Sequence, residues 1–270
     1  MMLHTGTGRT TDLYTRDEGE GNPVMLLHGF TGNGESMSQI AKSLTSRVIR
    51  PDLLGHGLSP APEELDHYRI ESMVEQLRWI VESRVGRPIA ICGYSMGARL
   101  ALSYAVHHQE EVSALILIGG NPGIEDRDEA HERARYDARL ASRIETEGIA
   151  EFTRNWEHLP MFASQFQLSP QHQLAIRRIR LSQRTHGLAN ALRMASTGLM
   201  PPMWESLPEL LTPTLLISGE LDAKFTDIAR RMEAAIPNGR HVVIPNAGHA
   251  AHIENPRKVI EHIKDFLGVI

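Results

Sequence analysis

Short apolar runs, each closed by glycine or a polar turn, alternate along this chain with longer stretches of helical spacing, and that alternation restricts the fold more than any single motif. The runs are PVMLLHG (23–29), RVIRPD (47–52), RPIAICGYS (87–95), VSALILIGG (112–120), TPTLLISGE (212–220) and RHVVIPNAGH (240–249). Nearly continuous apolar strands of this kind suit a parallel sheet covered on both faces. Helical spacing near 35–45, 70–85, 96–108, 223–235 and 255–267 supplies the crossovers. The pattern predicts an α/β fold, a mostly parallel twisted sheet flanked by helices. Residues 8–20 are expected to add an antiparallel hairpin.

The alternation breaks between 121 and 211. From NPGIEDRDEAHERARYDARLASRIETEG through ALRMASTGLMPPMWESLPEL the pattern is helical and rich in arginine, with no strand-like run. A structureless connection of that length is foreign to a compact domain, so a helical insertion is predicted. It leaves the carboxyl end of the run at 112–118, where α/β sheets gather their ligands, and should cover the site as a cap. The expected organisation is a core built from 1–120 and 212–270, with 121–211 as a cap within the same domain.

Composition narrows the partners. With 270 residues, 41% of them hydrophobic, the chain has material for one sizeable core. The formal net charge is −5, and the lysines and arginines form no stripe, so nucleic acid is not an expected partner. Cys92 is the single cysteine, which excludes an internal disulfide and a CxxC metal site and fits the reducing cytoplasm. The opening MMLHTGTGRTTDLYTRDEGEG lacks a basic segment followed by an apolar core. No stretch approaches ~18 uninterrupted apolar residues. Neither a signal peptide nor a membrane span is expected, and the oligomeric state is open.

Within GYSMG, Ser95 follows an apolar run and opens a helical stretch, the context that gives GxSxG its meaning. A serine hydroxyl is a weak nucleophile and base at neutral pH, so it needs an imidazole within reach and a carboxylate behind it. His249 in NAGHAAH and Asp222 in SGELDAKF each stand just past an apolar run. The order Ser95, Asp222, His249 is that of an α/β-hydrolase triad. The alternative for Asp222 is an N-cap for the helix near 223, His252 competes with His249, and Asp52 in RPDLLGHG is a rival acid better suited to its turn. Backbone N–H groups of Met96, after the serine, and Phe30, in the HGF loop, are the expected donors to a developing oxyanion. LHGFTGNG lacks the lysine followed by serine or threonine that marks a phosphate-binding loop. Arg99 is a lone charge in the apolar run around it, one turn past Ser95 on the same helical face, and should reach the space above the serine.

Taken together, LLHGFTGN, PDLLGHGLS, GYSMGARLAL, GELDAKF and AGHAAHIENP resemble the α/β-hydrolase superfamily over nearly the whole chain. GGNPGIEDRDEAHERARYD, NWEHLPMFASQ, IRRIRLSQRTHGLANALRMASTG and the KF after the acid segment are similar to the 2-succinyl-6-hydroxy-2,4-cyclohexadiene-1-carboxylate synthase family of menaquinone biosynthesis. That resemblance implies a lyase. The triad Ser95, Asp222 and His249 would remove a ring proton so that pyruvate leaves the enol ether of 2-succinyl-5-enolpyruvyl-6-hydroxy-3-cyclohexene-1-carboxylate, with no acyl-enzyme, metal or organic cofactor. It also implies Arg99, Arg133 and Arg180 as carboxylate-binding groups and Tyr94, Trp156 and Lys224 as pocket lining, with Arg177 and Arg178 as near neighbours that could stand for Arg180.

Such a substrate is a small polycarboxylate, a trianion, and planar guanidinium groups pair with carboxylates through two parallel hydrogen bonds. For Arg133 and Arg180 the alternative is solvated charge on an arginine-rich cap. The same triad could instead hydrolyse an ester or a carbon–carbon bond of a small carboxylated substrate. The chain departs from the family pattern at Ala98, where glycine is expected after GYSMG, in ASTG, where GTG is usual, and at Ala250, where asparagine is frequent.

Overall fold

The structure, a computed structural model, describes residues 12–269. Its strands are β1 Thr15–Glu18, β2 Pro23–Leu27, β3 Arg47–Pro51, β4 Ile89–Tyr94, β5 Val112–Ile118, β6 Thr214–Gly219 and β7 Gly239–Ile244. They form one sheet in the order β1-β3-β2-β4-β5-β6-β7. Every neighbouring pair is parallel except β1 with β3. The six apolar runs correspond to β2 through β7. Of the hairpin expected at 8–20, residues 8–11 lie outside the described residues. Thr15–Glu18 is a strand whose antiparallel partner is β3, with Thr15 opposite Pro51 and Glu18 opposite Val48. Its sequence, TRDE, suits an edge held by charge, and Arg47 clasps Asp17 through Nε and Nη2 at 2.8 and 2.7 Å.

Strands β2, β4 and β6 are buried along their whole length. Successive side chains point to opposite faces, so each strand feeds two cores. Met25, Ile91, Leu117 and Leu216 pack with helices on one face, and Leu26, Cys92, Ile116 and Ile217 pack with helices on the other. Each fully buried aliphatic chain contributes about 1.5–3 kcal/mol, so double burial is the main term holding the sheet. β7, at the end of the sheet, is only partly covered.

The helices are α1 Ser38–Ser43, α2 Ile70–Arg84, α3 Met96–His107, α4 Arg127–Trp156, α5 Pro170–Leu181, α6 Thr185–Met194, α7 Ala223–Ala235, α8 Ala251–Glu254 and α9 Pro256–Val269. Leu77 of α2, Leu100 of α3 and Met232 of α7 join one face of the sheet; Ile40 of α1 and Val259 of α9 join the other. No helix among the described residues is long and apolar enough to cross a membrane.

Between β5 and β6 the chain folds into α4, α5 and α6 with no strand. α4 starts at Asp126, whose carboxylate accepts the Glu129 N–H at 2.8 Å, and breaks at Gly148, where φ 80° and ψ 169° depart from helical values. α4 and α6 share a small core of their own that includes Ala141, Ile144, Phe152 and Leu188. This layer is tied to loops beyond the carboxyl ends of β2 and β3. Gln183 accepts the Gly57 N–H at 2.9 Å and donates to Gly32 O at 3.1 Å, and His186 and Asn190 bond Ala61 O and Pro62 O at 3.0 and 3.3 Å.

Candidate active site

Ser95 sits between β4 and α3 with φ 51° and ψ −107°, a conformation that a residue with a side chain adopts only under strain. The two flanking glycines make the turn possible. A Cβ at Gly97 would collide with the carbonyls of Leu27 and His28, and one at Gly93 with the carbonyl of Gly97. The Ser95 N–H is held by Ile118 O of β5 at 2.9 Å. The result is a hydroxyl presented at the carboxyl edge of the sheet, beneath the α4–α6 layer.

His249 and Asp222 meet it there. Ser95 Oγ lies 3.0 Å from His249 Nε2, and His249 Nδ1 lies 2.8 Å from Asp222 Oδ2. Asp222 serves both readings open in the sequence, because its other oxygen accepts the Phe225 N–H at 3.3 Å and caps α7. His249 is almost wholly buried, with Phe225 and Tyr94 rings 4.3 and 5.4 Å away.

The rivals fall elsewhere. Asp52 accepts the Gly34 and Leu58 N–H groups at 2.7 and 2.8 Å and is paired with Arg16 at 3.3 Å, so it fastens two loops. His252 lies inside α8, and its ring stacks on Tyr94 at 4.3 Å. Both its nitrogens are buried without a protein partner, and burial, followed by the charge of His249, pushes its pKa down to about 3. Cys92 is buried, and that burial pushes its thiol up to about 12. Among the described residues, the group of side chains close enough to hold a metal is His108, Glu110 and Glu111. It precedes β5, at the opposite edge of the sheet from Ser95, and Glu111 is already bonded to Arg78 and Tyr104.

A cavity of about 420 Å³ opens above the serine. Its wall includes Phe30, Tyr94, Met96, Arg99, Arg133, Trp156 and Lys224, all expected site residues. Met96 is the first residue of α3, where N–H groups have no acceptor within the helix. The loop carrying Phe30 is fixed by His28. Its Nε2 accepts the Leu53 N–H at 2.9 Å and its Nδ1 donates to Gly29 O at 2.8 Å, so the ring is neutral, with a pKa pushed down by burial to about 4.

Arg99 is half-buried in this wall and donates through Nη1 to Ala195 O at 2.7 Å. Burial pushes its guanidinium down to about 10, Arg133 adds to the shift, and Asp137 opposes it. It is still a cation at neutral pH. Arg133 is partly exposed and donates through Nε to Asp137 Oδ2 at 2.9 Å. The Trp156 indole N–H is buried without a protein acceptor.

Arg180 lies elsewhere. It lines an adjoining cavity of about 200 Å³, behind Phe162 and Tyr94, which belong to both walls. Its guanidinium lies 5.2 Å from the Phe162 ring centroid, donates to Gln165 Oε1 at 3.0 Å and approaches Glu157 at 3.8 Å. Arg178 lines the same second cavity, whereas Arg177 lines a third cavity that Arg180 also borders, and both pair with Glu157, at 3.2 and 3.8 Å. Sequence reasoning missed Asp137, a buried carboxylate in the wall. Its one sequence signal is the four-residue spacing from Arg133.

Known proteins bear on this arrangement. The alpha/beta hydrolase fold family model matches residues 22–256. A Bacillus subtilis protein provisionally named 2-succinyl-6-hydroxy-2,4-cyclohexadiene-1-carboxylate synthase is 38% identical over 245 residues, 90% of this chain and 89% of its own. The synthase of that name from Salmonella paratyphi C is 31% identical over 246 residues, 90% of this chain and 93% of its own. The solved structure of MenH from S. aureus superposes with a TM-score of 0.89 at 34% identity, covering 94% of this chain and 97% of its own. The chain therefore belongs to the α/β-hydrolase family, in the group that includes these synthases.

Proposed function

We propose that the protein is a carbon–oxygen lyase of menaquinone biosynthesis that converts 2-succinyl-5-enolpyruvyl-6-hydroxy-3-cyclohexene-1-carboxylate to 2-succinyl-6-hydroxy-2,4-cyclohexadiene-1-carboxylate and pyruvate. The observation that carries this reading is the cationic wall, Arg99, Arg133 and Lys224, around a hydrogen-bonded Ser95–His249–Asp222 chain. A plain esterase has no need of three cations above its serine. The names of the relatives point the same way.

The chemistry follows from the substrate. The hydrogen on ring carbon 2 is α to the succinyl ketone, so its removal gives an enolate. Ser95, with His249 accepting its proton, is the base, and Asp222 holds the imidazole and stabilises its charged form. The N–H groups of Phe30 and Met96 stabilise the enolate oxygen. The electron pair then moves through the ring double bond and expels the enolpyruvyl oxygen from carbon 5, leaving the 2,4-diene. The departing pyruvate enolate takes a proton on carbon. No covalent bond to Ser95 forms. The arginines and Lys224 bind and orient the carboxylates, and the aromatic residues Tyr94, Trp156 and Phe162 keep water from the reacting face. The insertion at 121–211 acts as the cap, carrying Arg133 and Trp156 to the substrate. Arg180 lines the adjoining cavity, whose wall shares Phe30, Tyr94 and Phe162 with the first, and is the third candidate for a substrate carboxylate.

The test is turnover of the enol ether carrying deuterium at carbon 2. One pyruvate per diene and a primary isotope effect on kcat/KM are expected. Pyruvate formation with no isotope effect would overturn proton removal as the catalysed step. Absence of pyruvate together with rapid hydrolysis of small esters would overturn the lyase reading itself.

A further inference from the structure

We propose that Asp137, tied down by Ser196, fixes the positions of the Arg99 and Arg133 guanidinium groups relative to each other and so determines which polycarboxylates the cavity accepts. The inference rests on the lyase reading for the charge of the substrate. Its starting point is a contradiction: a buried carboxylate in the wall of a cavity for an anion opposes binding unless it has another task.

Asp137 is 2% exposed at its side chain, against 42% for Arg133 one turn earlier on α4. A single oxygen, Oδ2, accepts both Arg133 Nε–H at 2.9 Å and Ser196 Oγ–H at 2.7 Å. Ser196 follows Ala195, whose carbonyl accepts the Arg99 Nη1–H at 2.7 Å. The two arginines are thus joined by one unbroken path: Arg99 on α3, the turn at 195–196 beyond α6, Asp137 on α4, then Arg133. A core helix is linked in this way to α4 and to the turn that follows α6.

The local sequence builds the path. Gly198 lets the turn press against α4, since a Cβ there would collide with the Ala130 carbonyl and the Ala134 nitrogen. Its N–H donates to Ser196 Oγ at 3.1 Å, which leaves the hydroxyl proton directed at Asp137. An exposed pair at this spacing on a helix has little worth, because two flexible chains must be ordered in high dielectric. Here one partner is already buried and doubly bonded, so only Arg133 remains to be ordered. The Asp137 charge also offsets the repulsion that Arg133 exerts on Arg99. Because Asp137 uses the Nε–H alone, both terminal amino groups of Arg133 stay available to a ligand.

Asp137 is therefore a positioning residue, and its loss should appear in binding rather than in chemistry. In Asp137→Asn the shape is kept and the charge removed, so KM for the enol ether is expected to rise about tenfold or more. The Kd of the diene product, a dianion measured by calorimetry, should rise in parallel. The Ser95–His249–Asp222 chain is untouched, so kcat should stay within about threefold of wild type. Ser196→Ala should shift KM and Kd in the same direction by a smaller factor, and it serves as the reading if Asp137→Asn does not fold by thermal melting. KM and Kd within about twofold of wild type in the folded variant, or a kcat loss with KM unchanged, would overturn the proposal. A wild-type protein that neither forms pyruvate nor binds the product would overturn the lyase reading first, and this proposal with it.

Discussion

On the proposed function, replacing Arg99 by alanine removes the contact on which recognition of a substrate carboxylate most depends. The guanidinium reaches the cavity from the first turn of α3 and has one strong protein bond, to Ala195 O at 2.7 Å, while its approach to the Met200 sulfur is long at 4.0 Å. Its remaining donors are available to a ligand. A carboxylate bound there makes a desolvated, charge-assisted contact, and truncating one partner of such a pair costs about 2–5 kcal/mol. At about 1.4 kcal/mol per tenfold, kcat/KM should fall by roughly 30-fold to several-thousand-fold. The fold should be little affected. Alanine is the best helix former, and the charge removed was itself partly desolvated, so a change of about 1 kcal/mol, or ~2–4 °C in Tm, is expected. Pyruvate release coupled to lactate dehydrogenase reads the rate, and a melting curve reads the fold. Arg99→Lys keeps the charge without the planar fork and should lie between the two. A loss of less than about threefold in folded Arg99→Ala would refute a carboxylate at this position.

Asp222→Asn separates the two tasks of that residue. Asparagine still caps α7 through its side-chain oxygen, so Tm should hold within a few degrees, while kcat falls by about 10³–10⁴ because the imidazole loses its anionic partner. A variant that melts early but keeps its rate would contradict this. Stability should also fall in acid. His28, His56 and His252 are buried with pKa values pushed down to about 4, about 3 and about 3, chiefly by burial. Below the unfolded value of about 6.5 the unfolded chain takes up protons that the folded chain refuses. The stability these histidines confer is complete above that pH and is lost toward pH 4, at up to about 1.4 kcal/mol per pH unit for each. Denaturant titrations from pH 7.5 downward should show the decline beginning near 6.5, and a flat profile to about pH 5 would contradict neutral burial.

The strands and the serine turn were legible because their causes are local. Apolar runs covered on both faces read as buried strands, and Gly93, Ser95 and Gly97 encode a tight turn within five residues. The choice between His249 and His252 was not local. A spacing of three puts both near the end of β7, and only the start of α8 after Ala250 sends one ring to Ser95 and the other against Tyr94. Arg180 rests on the resemblance alone, and its place in the adjoining cavity depends on contacts with Gln165 and Phe162 of the 3₁₀ segment Pro160–Gln167, which no local pattern on α5 encodes. Asp137 gives no local signal, because an arginine and an aspartate four apart on a charged helix have the pattern of a solvated pair. Its burial depends on the turn at 195–198, some sixty residues away in sequence.

Ser95→Ala, assayed for pyruvate release from the enol ether beside hydrolysis of a small chromogenic ester by the wild type, bears most directly on the proton-removal mechanism. The wild type should release pyruvate and cleave the ester weakly, and the folded variant should lose about 10² or more in kcat for pyruvate. Undiminished pyruvate release by the variant would contradict Ser95 as part of the base, and fast ester hydrolysis without pyruvate from the wild type would contradict elimination altogether.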